Sequence, residues 1–140
     1  LLFFLVEKKS MQIFHQHFGD NEVILDPSFL KHVIVNLLSN AIKFSPEKAT
    51  ILISCKVNNE NITIKITDQG MGIPIADQIH LFERFFRATN ATNIQGTGLG
   101  LHIVGRYIEI LSGSISYESE LEKGSTFKIV LPSIKKNDLD

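Results

Sequence analysis

Apolar positions recur with helical spacing in two stretches of the chain. Between residues 29 and 42 they return every three or four positions, which predicts a helix with one face in a core. Asp26, followed by a proline, supplies an N-terminal cap, and Ser45 lies before a second proline and marks the helix end. Residues 98–111 show similar spacing, and Gly113 is predicted to end this second helix as a glycine cap.

Shorter segments predict strands, and two of them, 50–57 and 61–68, alternate apolar and polar residues. The predicted strands are 11–17, 23–25, 50–57, 61–68, 114–119 and 125–131. Residues 19–21 favour a turn between the first two strands, and residues 58–60 favour a hairpin between the next two. The pattern predicts an α+β fold, a two-layer α/β sandwich whose mixed, mostly antiparallel sheet is covered on one face by helices.

The 140 residues suffice for a single domain. We expect its core at residues 22–132, after an N-terminal strand and truncated linker at 1–21 and before a polar tail at 133–140. Residues 1–6 are apolar but much shorter than the roughly 20 residues of a membrane helix, so we expect no direct membrane insertion. Because the sequence starts within this apolar run, we interpret it as a piece of a longer protein.

Composition narrows the possible functions. Hydrophobic residues make up 44% and charged residues 21% of the chain, as in ordinary globular proteins. The formal net charge of −1 gives no electrostatic reason to expect a nucleic acid partner. The single cysteine, Cys55, cannot form an internal disulfide and is expected to be a small hydrophobe in a strand.

Three polar residues of the first predicted helix are candidates for ligand binding. Asn36 and Asn40 are four residues apart and therefore share one side of the helix, with Lys43 near that side one turn later. Amide oxygens are hard ligands for Mg²⁺, and an ammonium group neutralises phosphate charge. The residues are consistent with a magnesium-bound polyphosphate site, although a solvated helix face has the same appearance.

Two glycine-rich segments add to this candidate site. Asp68 follows a predicted strand and can accept a hydrogen bond from an exocyclic amine, while Gly70 and Gly72 permit a tight turn. An ordinary β-turn remains the alternative. Residues 96–100 open the second helix, where backbone amides and the positive end of the helix dipole favour an anion.

An aromatic and basic segment lies between the glycine motifs. In residues 82–87 three phenylalanines accompany Arg84 and Arg87, so an aromatic anchor could position a guanidinium group over phosphate. Exposed surface charge is the alternative for each arginine. Residues 88–95 are small and polar without periodicity, which predicts a mobile loop.

The ordered motifs resemble the catalytic and ATP-binding domain of sensor histidine kinases, within the superfamily that also contains gyrase and MutL ATPases and has the Bergerat-type fold. The resemblance covers residues 22–132. The matching segments are 36–45 (N box), 68–72 (G1 box), 82–87 (F box), 96–100 (G2 box) and 123–127 (final glycine motif).

The resemblance implies a role for each matching residue. Asp68 would bind the adenine amine, Asn40 would hold Mg²⁺, Asn36 and Lys43 would support the phosphates, and Arg87 would contact the γ-phosphate. Residues 88–95 would form the ATP lid. The remaining implied nucleotide contacts are Phe44, Gly70, Gly72, Ile73, Gly96, Thr97, Gly98, Leu99, Gly100, Leu101 and Thr126. Phe44 stands where the family often has tyrosine.

Two residues that related proteins contain are absent from this sequence, and their absence indicates the reaction type. Gyrase-like hydrolases have a water-activating glutamate four residues before the magnesium-binding asparagine, and here that residue is Asn36. None of the five histidines has an acidic residue after it, as the phosphoacceptor of a histidine kinase would. We therefore expect the γ-phosphoryl group of ATP to be transferred to a histidine elsewhere.

The resemblance also implies partners. They are a histidine-containing dimerisation domain of the same protein, homodimeric at full length, and the receiver domain of a response regulator. The expected location is the cytoplasm, in a soluble or a membrane-anchored parent. An ATPase switch domain, a non-catalytic nucleotide-binding module and a serine-directed kinase of the anti-sigma type are the alternatives.

Overall fold

A computed structural model describes residues 2–20, 22–23, 25–91 and 98–133. The helices are α1 (Leu2–Lys8), α2 (Pro27–Phe44), α3 (Ile75–Gln78) and α4 (Gly100–Ile110), with a short 3₁₀ helix at Thr89–Ala91. The strands are β1 (Gln12–Gly19), β2 (Thr50–Val57), β3 (Asn61–Thr67), β4 (Ser114–Glu120) and β5 (Gly124–Pro132). No helix within these residues is long and apolar enough to cross a bilayer.

The five strands form one mixed sheet in the order β1-β2-β3-β5-β4. β1 runs parallel to β2, and the other neighbouring strands are antiparallel. Buried and less buried residues alternate along β3 and β5. The buried apolar side chains of these strands form a core with α2 and α4. Its fully buried members include Ile42 from α2, Val104 from α4, and Ile66 and Ile129 from the sheet. The predicted two-layer α+β sandwich is confirmed.

The pairing of the first strand differs from the prediction. The predicted hairpin between residues 11–17 and 23–25 is wrong, because β1 pairs in parallel with β2, with Ile13 opposite Ile51. Val23 and Leu25 are not in a strand, and residue 24 lies outside the described residues. Both side chains pack against the core from irregular backbone, so their apolar spacing is satisfied without strand pairing.

The predicted bounds of α2 are confirmed. The Asp26 side chain accepts a hydrogen bond from the Ser28 amide at 2.9 Å, and the helix ends before Ser45. These contacts are local, which is why the sequence predicts them. They fix which residues of α2 lie at each end of the helix.

At the end of α4 the predicted glycine cap is wrong in one respect. The left-handed residue is Ser112, with φ of 58°, and not Gly113. The amides of Ser112 and Gly113 close the helix on the carbonyls of Glu109 and Ile108, at 3.0 and 2.9 Å. Gly113 is required for space instead, because a Cβ there would collide with Leu131.

Candidate functional site

A cavity of about 210 Å³ lies between α2, the turn after β3, the start of α4 and the first half of β5. Apolar residues form much of its wall, including Ile66, Ile73 and Phe127. The polar and charged side chains that line it are those of Asn36, Ser39, Asn40, Lys43, Asp68, Arg87, Asn90 and Ser125. A concave wall that combines apolar contacts with converging polar side chains is typical of a small-molecule site.

Asp68 is the anchored acceptor of this cavity. Its Oδ1 accepts hydrogen bonds from the amides of Gly70 at 2.8 Å and Ser125 at 3.2 Å. No described residue donates a hydrogen bond to Oδ2, so this oxygen is available to a ligand. Burial raises the pKa of the carboxyl group above its ordinary value, and the two backbone hydrogen bonds oppose that rise.

The turn that follows Asp68 is fixed against α2 and against the connection between β4 and β5. The Met71 amide donates to the Phe44 carbonyl at 3.2 Å, and the Met71 carbonyl accepts from the Glu122 amide at 2.8 Å. At Gly72, φ is 71° and a Cβ would collide with the carbonyl oxygen of Glu120. Glycine is therefore needed at this position for both space and backbone conformation.

The polar residues of α2 face the start of α4. Asn36, Asn40 and Lys43 all line the cavity, as the helical spacing predicts. The Asn36 Nδ2 donates to the His32 carbonyl at 2.7 Å, which holds the amide in one orientation. The Oδ1 atoms of Asn36 and Asn40 lie 3.3 and 3.9 Å from a Cβ position built on Gly100. Two amide oxygens thus lie beside a helix N-terminus.

Phe85, in the aromatic segment, braces the residues just before α4. Its amide donates to the Gly98 carbonyl at 2.9 Å, and its backbone would come within 2.6 Å of a Cβ on Gly98, where φ is 75°. Gly98, Gly100 and Leu101 line the cavity, whereas Leu99 does not. Residues 96 and 97, also predicted nucleotide contacts, lie outside the described residues.

Arg87 lines the cavity, and its guanidinium group already makes a hydrogen bond within the protein. Nη2 donates to the Ala91 carbonyl at 2.9 Å, which holds the side chain against the start of the predicted lid. Arg84 is exposed and does not line the cavity. Of the two arginines in the aromatic segment, Arg87 is therefore the one that lies at the cavity.

The first residues of the predicted lid are held in place by hydrogen bonds that the sequence did not suggest. Both the amide and the hydroxyl group of Thr89 donate to Oδ2 of the buried Asp77, at 3.0 and 2.9 Å. The Asn90 Nδ2 donates to the Gly72 carbonyl at 3.0 Å. The start of the lid is therefore joined to the glycine turn, and the lid residues 92–95 lie outside the described residues.

The structure places Thr126 away from this cavity and Ser125 in it. The Thr126 hydroxyl donates to the Thr67 hydroxyl at 3.1 Å across the strands, while Ser125 and Phe127 line the cavity. Alternation along β5 decides this, because Ser125 shares the buried face with Phe127 and Ile129. The same alternation could have identified Ser125 from sequence.

Phe44, Gly72 and Ile73, three of the implied nucleotide contacts, line the cavity, while Gly70 lies behind the turn against Phe44. A Cβ on Gly70 would lie 2.7 Å from the Phe44 carbonyl oxygen. Phe44 contributes to the site through this carbonyl as well as through the cavity wall. The cavity residues Ser39 and Asn90 were also missed, since nothing in their local pattern distinguishes them from surface polar residues.

The sheet order and the cavity between α2 and α4 define an ATP-binding domain of one family. The family described as histidine kinase-, DNA gyrase B- and HSP90-like ATPases matches residues 25–135, and the chain belongs to it.

The particular relatives are sensor kinases. The chain is 40% identical over 109 residues to the sensor histidine kinase RcsC of Escherichia coli (strain K12), covering 76% of this chain and 11% of that protein. It is 36% identical over 111 residues to the signal transduction histidine-protein kinase ArlS of Staphylococcus aureus (strain USA300), covering 78% and 25%. The chain thus spans a quarter or less of these relatives.

Among solved structures, the mycobacterial sensor histidine kinase MprB superposes with a TM-score of 0.80 at 31% identity. The match covers 94% of this chain and 90% of that one. The resemblance deduced from the motifs is therefore confirmed at the level of the family and of the fold.

Proposed function

We propose that the chain is the ATP-binding catalytic domain of a sensor histidine kinase. It would transfer the γ-phosphoryl group of ATP to a histidine on a separate dimerisation domain. The observation that carries the proposal is the pairing, in one cavity, of an anchored acceptor carboxylate with two amide oxygens beside a helix N-terminus. The sensor kinases among the relatives support the same reaction.

The Asp68 end of the cavity suits adenine. Oδ2 can accept a hydrogen bond from the exocyclic amine, while Ile66, Ile73 and Phe127 provide apolar contacts for a flat base. Ser125 adds a hydroxyl group in place of Thr126. Along α2, Asn36 lies eight residues before Phe44, or about 12 Å at the helical rise of 1.5 Å per residue, which leaves room for a sugar and phosphates.

The α2 face and the start of α4 suit the phosphates. Lys43 supplies positive charge, Arg87 lies at the lid, and backbone amides at the N-terminus of α4 can donate to phosphate oxygens. The donor set also fits Mg²⁺, because Asn36 and Asn40 offer hard amide oxygens and a magnesium ion completes its shell with phosphate oxygens and water. When bound, the ion would neutralise charge on the phosphates.

The cavity favours transfer over hydrolysis. Asp68 is the sole carboxylate among the described residues that line it, and its Oδ1 is committed to two backbone amides. The α2 face presents Asn36, an amide that cannot take a proton from water, so an attacking water has no general base. An external nucleophile, such as an imidazole, needs no such base.

The remaining parts of the proposal concern partners and place. The acceptor of the phosphoryl group would be a histidine in a dimerisation domain of the same protein, which would be homodimeric at full length. The phosphoryl group would then pass to the receiver domain of a response regulator. The core would span residues 22–132, with a linker before it and a tail after it. The expected location is the cytoplasm.

The test is phosphorylation in trans. The chain is mixed with a histidine-containing helical domain, Mg²⁺ and γ-labelled ATP, and acid-labile label on that domain is measured. We expect transfer that Asn40→Ala greatly reduces, whereas the matched variant Asn59→Ala, in the exposed β2–β3 turn, leaves it unchanged. Rapid release of phosphate that depends on Asn40, without transfer, would instead establish an ATPase switch. Absence of nucleotide affinity would establish a non-catalytic module.

A further inference from the structure

Lys9 makes a set of contacts that neither the motifs nor the proposed function uses. Its Nζ donates to the backbone carbonyls of Ile42, Lys43 and Ser45, at 2.9, 3.1 and 2.9 Å. An ammonium group has three donors, so all of them are used here. The last carbonyls of a helix lack partners within the helix, and a cation at this end also opposes the helix dipole. Lys9 therefore caps the C-terminus of α2 from a distant part of the chain.

The backbone of Lys9 is attached to the same region. Its carbonyl accepts from the Lys48 amide at 2.8 Å, and the next turn closes with the Met11 amide donating to Val6 at 3.0 Å. Val6 and Met11 pack in or against the core. The connection between α1 and β1 is thus held to the end of α2 by side chain and backbone together.

The other side of this helix end forms part of the candidate site. Lys43, whose carbonyl accepts from Lys9, places its side chain on the cavity. The neighbouring carbonyl of Phe44 accepts from the Met71 amide, which positions the turn after Asp68. Two carbonyls adjacent in sequence therefore connect the N-terminal segment and the adenine-binding turn to the same last turn of helix.

We propose that Lys9 is a positioning residue that couples the N-terminal helix α1 to the nucleotide cavity. Removal of its three hydrogen bonds would loosen the last turn of α2, and with it Lys43 and the turn around Met71, without removing any group that contacts the nucleotide. This inference rests on the proposed ATP site for its affinity measurement. Burial lowers the pKa of the Lys9 ammonium group, as expected for a cation enclosed by backbone, and Glu47 opposes that shift.

The test compares Lys9→Met with Lys8→Met, a matched change at the exposed neighbouring lysine. We expect Lys9→Met to weaken MgATP binding by about 2- to 30-fold, the range for residues that act through a network. Lys8→Met should bind as the wild type does, and Lys9→Arg should recover part of the lost affinity because it keeps a charged group with several donors. Calorimetric titration measures all four proteins.

If the role of Lys9 were purely structural, Lys9→Met would lower the free energy of unfolding but leave the dissociation constant for MgATP within twofold of the wild-type value. That result would overturn the inference. Amide exchange at Met71 gives a readout without nucleotide. It should accelerate in Lys9→Met and stay unchanged in Lys8→Met, and equal rates in the two variants would also refute the coupling. Failure of the wild type to bind ATP would contradict the proposed function and leave this exchange test intact.

Lys9→Met could fail to fold, and the wild type then supplies the decisive measurement. Acylation of lysines is followed by mass spectrometry with and without MgATP. Because coupling is reciprocal, bound nucleotide should slow modification of Lys9 more than twofold while Lys8 is unaffected. If the nucleotide binds but the rate of Lys9 acylation stays the same, the proposal is overturned.

Discussion

Replacement of Asp68 by asparagine would reverse the hydrogen-bonding character of the proposed adenine contact while keeping the turn. In the wild type, Oδ1 accepts from the amides of Gly70 and Ser125, which must have an acceptor. An asparagine satisfies both amides by placing its oxygen there. Its nitrogen then occupies the position of Oδ2, where it presents a donor to the donating amine of adenine.

The size of the effect follows from the charge on the acceptor. A hydrogen bond to a charged group contributes about 1.5–3 kcal/mol, which corresponds to about 10- to 150-fold in the dissociation constant. We expect Asp68→Asn to weaken MgATP binding by at least about 10-fold, because a repulsive pair of donors replaces the hydrogen bond between Asp68 and the adenine amine. The same nitrogen can donate to the carbonyl oxygen of guanine, so the preference for ATP over GTP should fall by at least about tenfold.

Isothermal titration of wild type, Asp68→Asn and Asp68→Ala with MgATP and MgGTP measures both quantities. Asp68→Ala controls for the turn, since it removes the acceptor for the two amides and should also lower the free energy of unfolding. An Asp68→Asn protein that folds normally and keeps wild-type affinity and base preference would refute the assignment of Asp68 to adenine.

Other predictions concern the turn, the lid and pH. Gly72→Ala should lower the free energy of unfolding by more than about 1 kcal/mol, measured by urea denaturation, because of its positive φ and the collision with Glu120. Thr89→Val removes a hydroxyl donor to the buried Asp77 and should cost about 1 kcal/mol in the same assay. Since burial raises the pKa of Asp68, this group stabilises the fold at low pH, and the contribution is lost as pH rises above about 4 through the folded-state pKa. Affinity for MgATP should increase over the same pH window.

Matched variants distinguish these specific effects from nonspecific destabilisation of the fold. Gly105→Ala changes a helical glycine whose Cβ would make an ordinary 3.6 Å contact with Phe82, and it should not destabilise the protein. Thr63→Val alters a strand threonine and should likewise be tolerated. Asp68→Asn should lack the pH-dependent component of stability. A Gly72→Ala protein as stable as Gly105→Ala, a Thr89→Val protein as stable as Thr63→Val, or a pH profile unaffected by Asp68→Asn would contradict the corresponding prediction.

Much of the candidate site could be predicted because its determinants are local. The spacing of Asn36, Asn40 and Lys43 places them on one face of any helix that contains them, and all three line the cavity. The start of α2 follows from Asp26, a capping residue immediately before a proline. The positive φ at Gly72 is a requirement of the turn itself, whereas the lack of space for a Cβ at Gly70 and Gly72 is set by Phe44 and Glu120.

The sequence by itself therefore determined the two long helices, α2 and α4, and most strands, since each depends on neighbours along the chain. Only the tertiary structure decided that β1 pairs in parallel with β2, that Asp77 holds the start of the lid and that Lys9 caps α2 across 33 to 36 residues. Such contacts join segments that have no fixed spacing in sequence. The core must pack before these groups can meet, so their identity is a property of the fold.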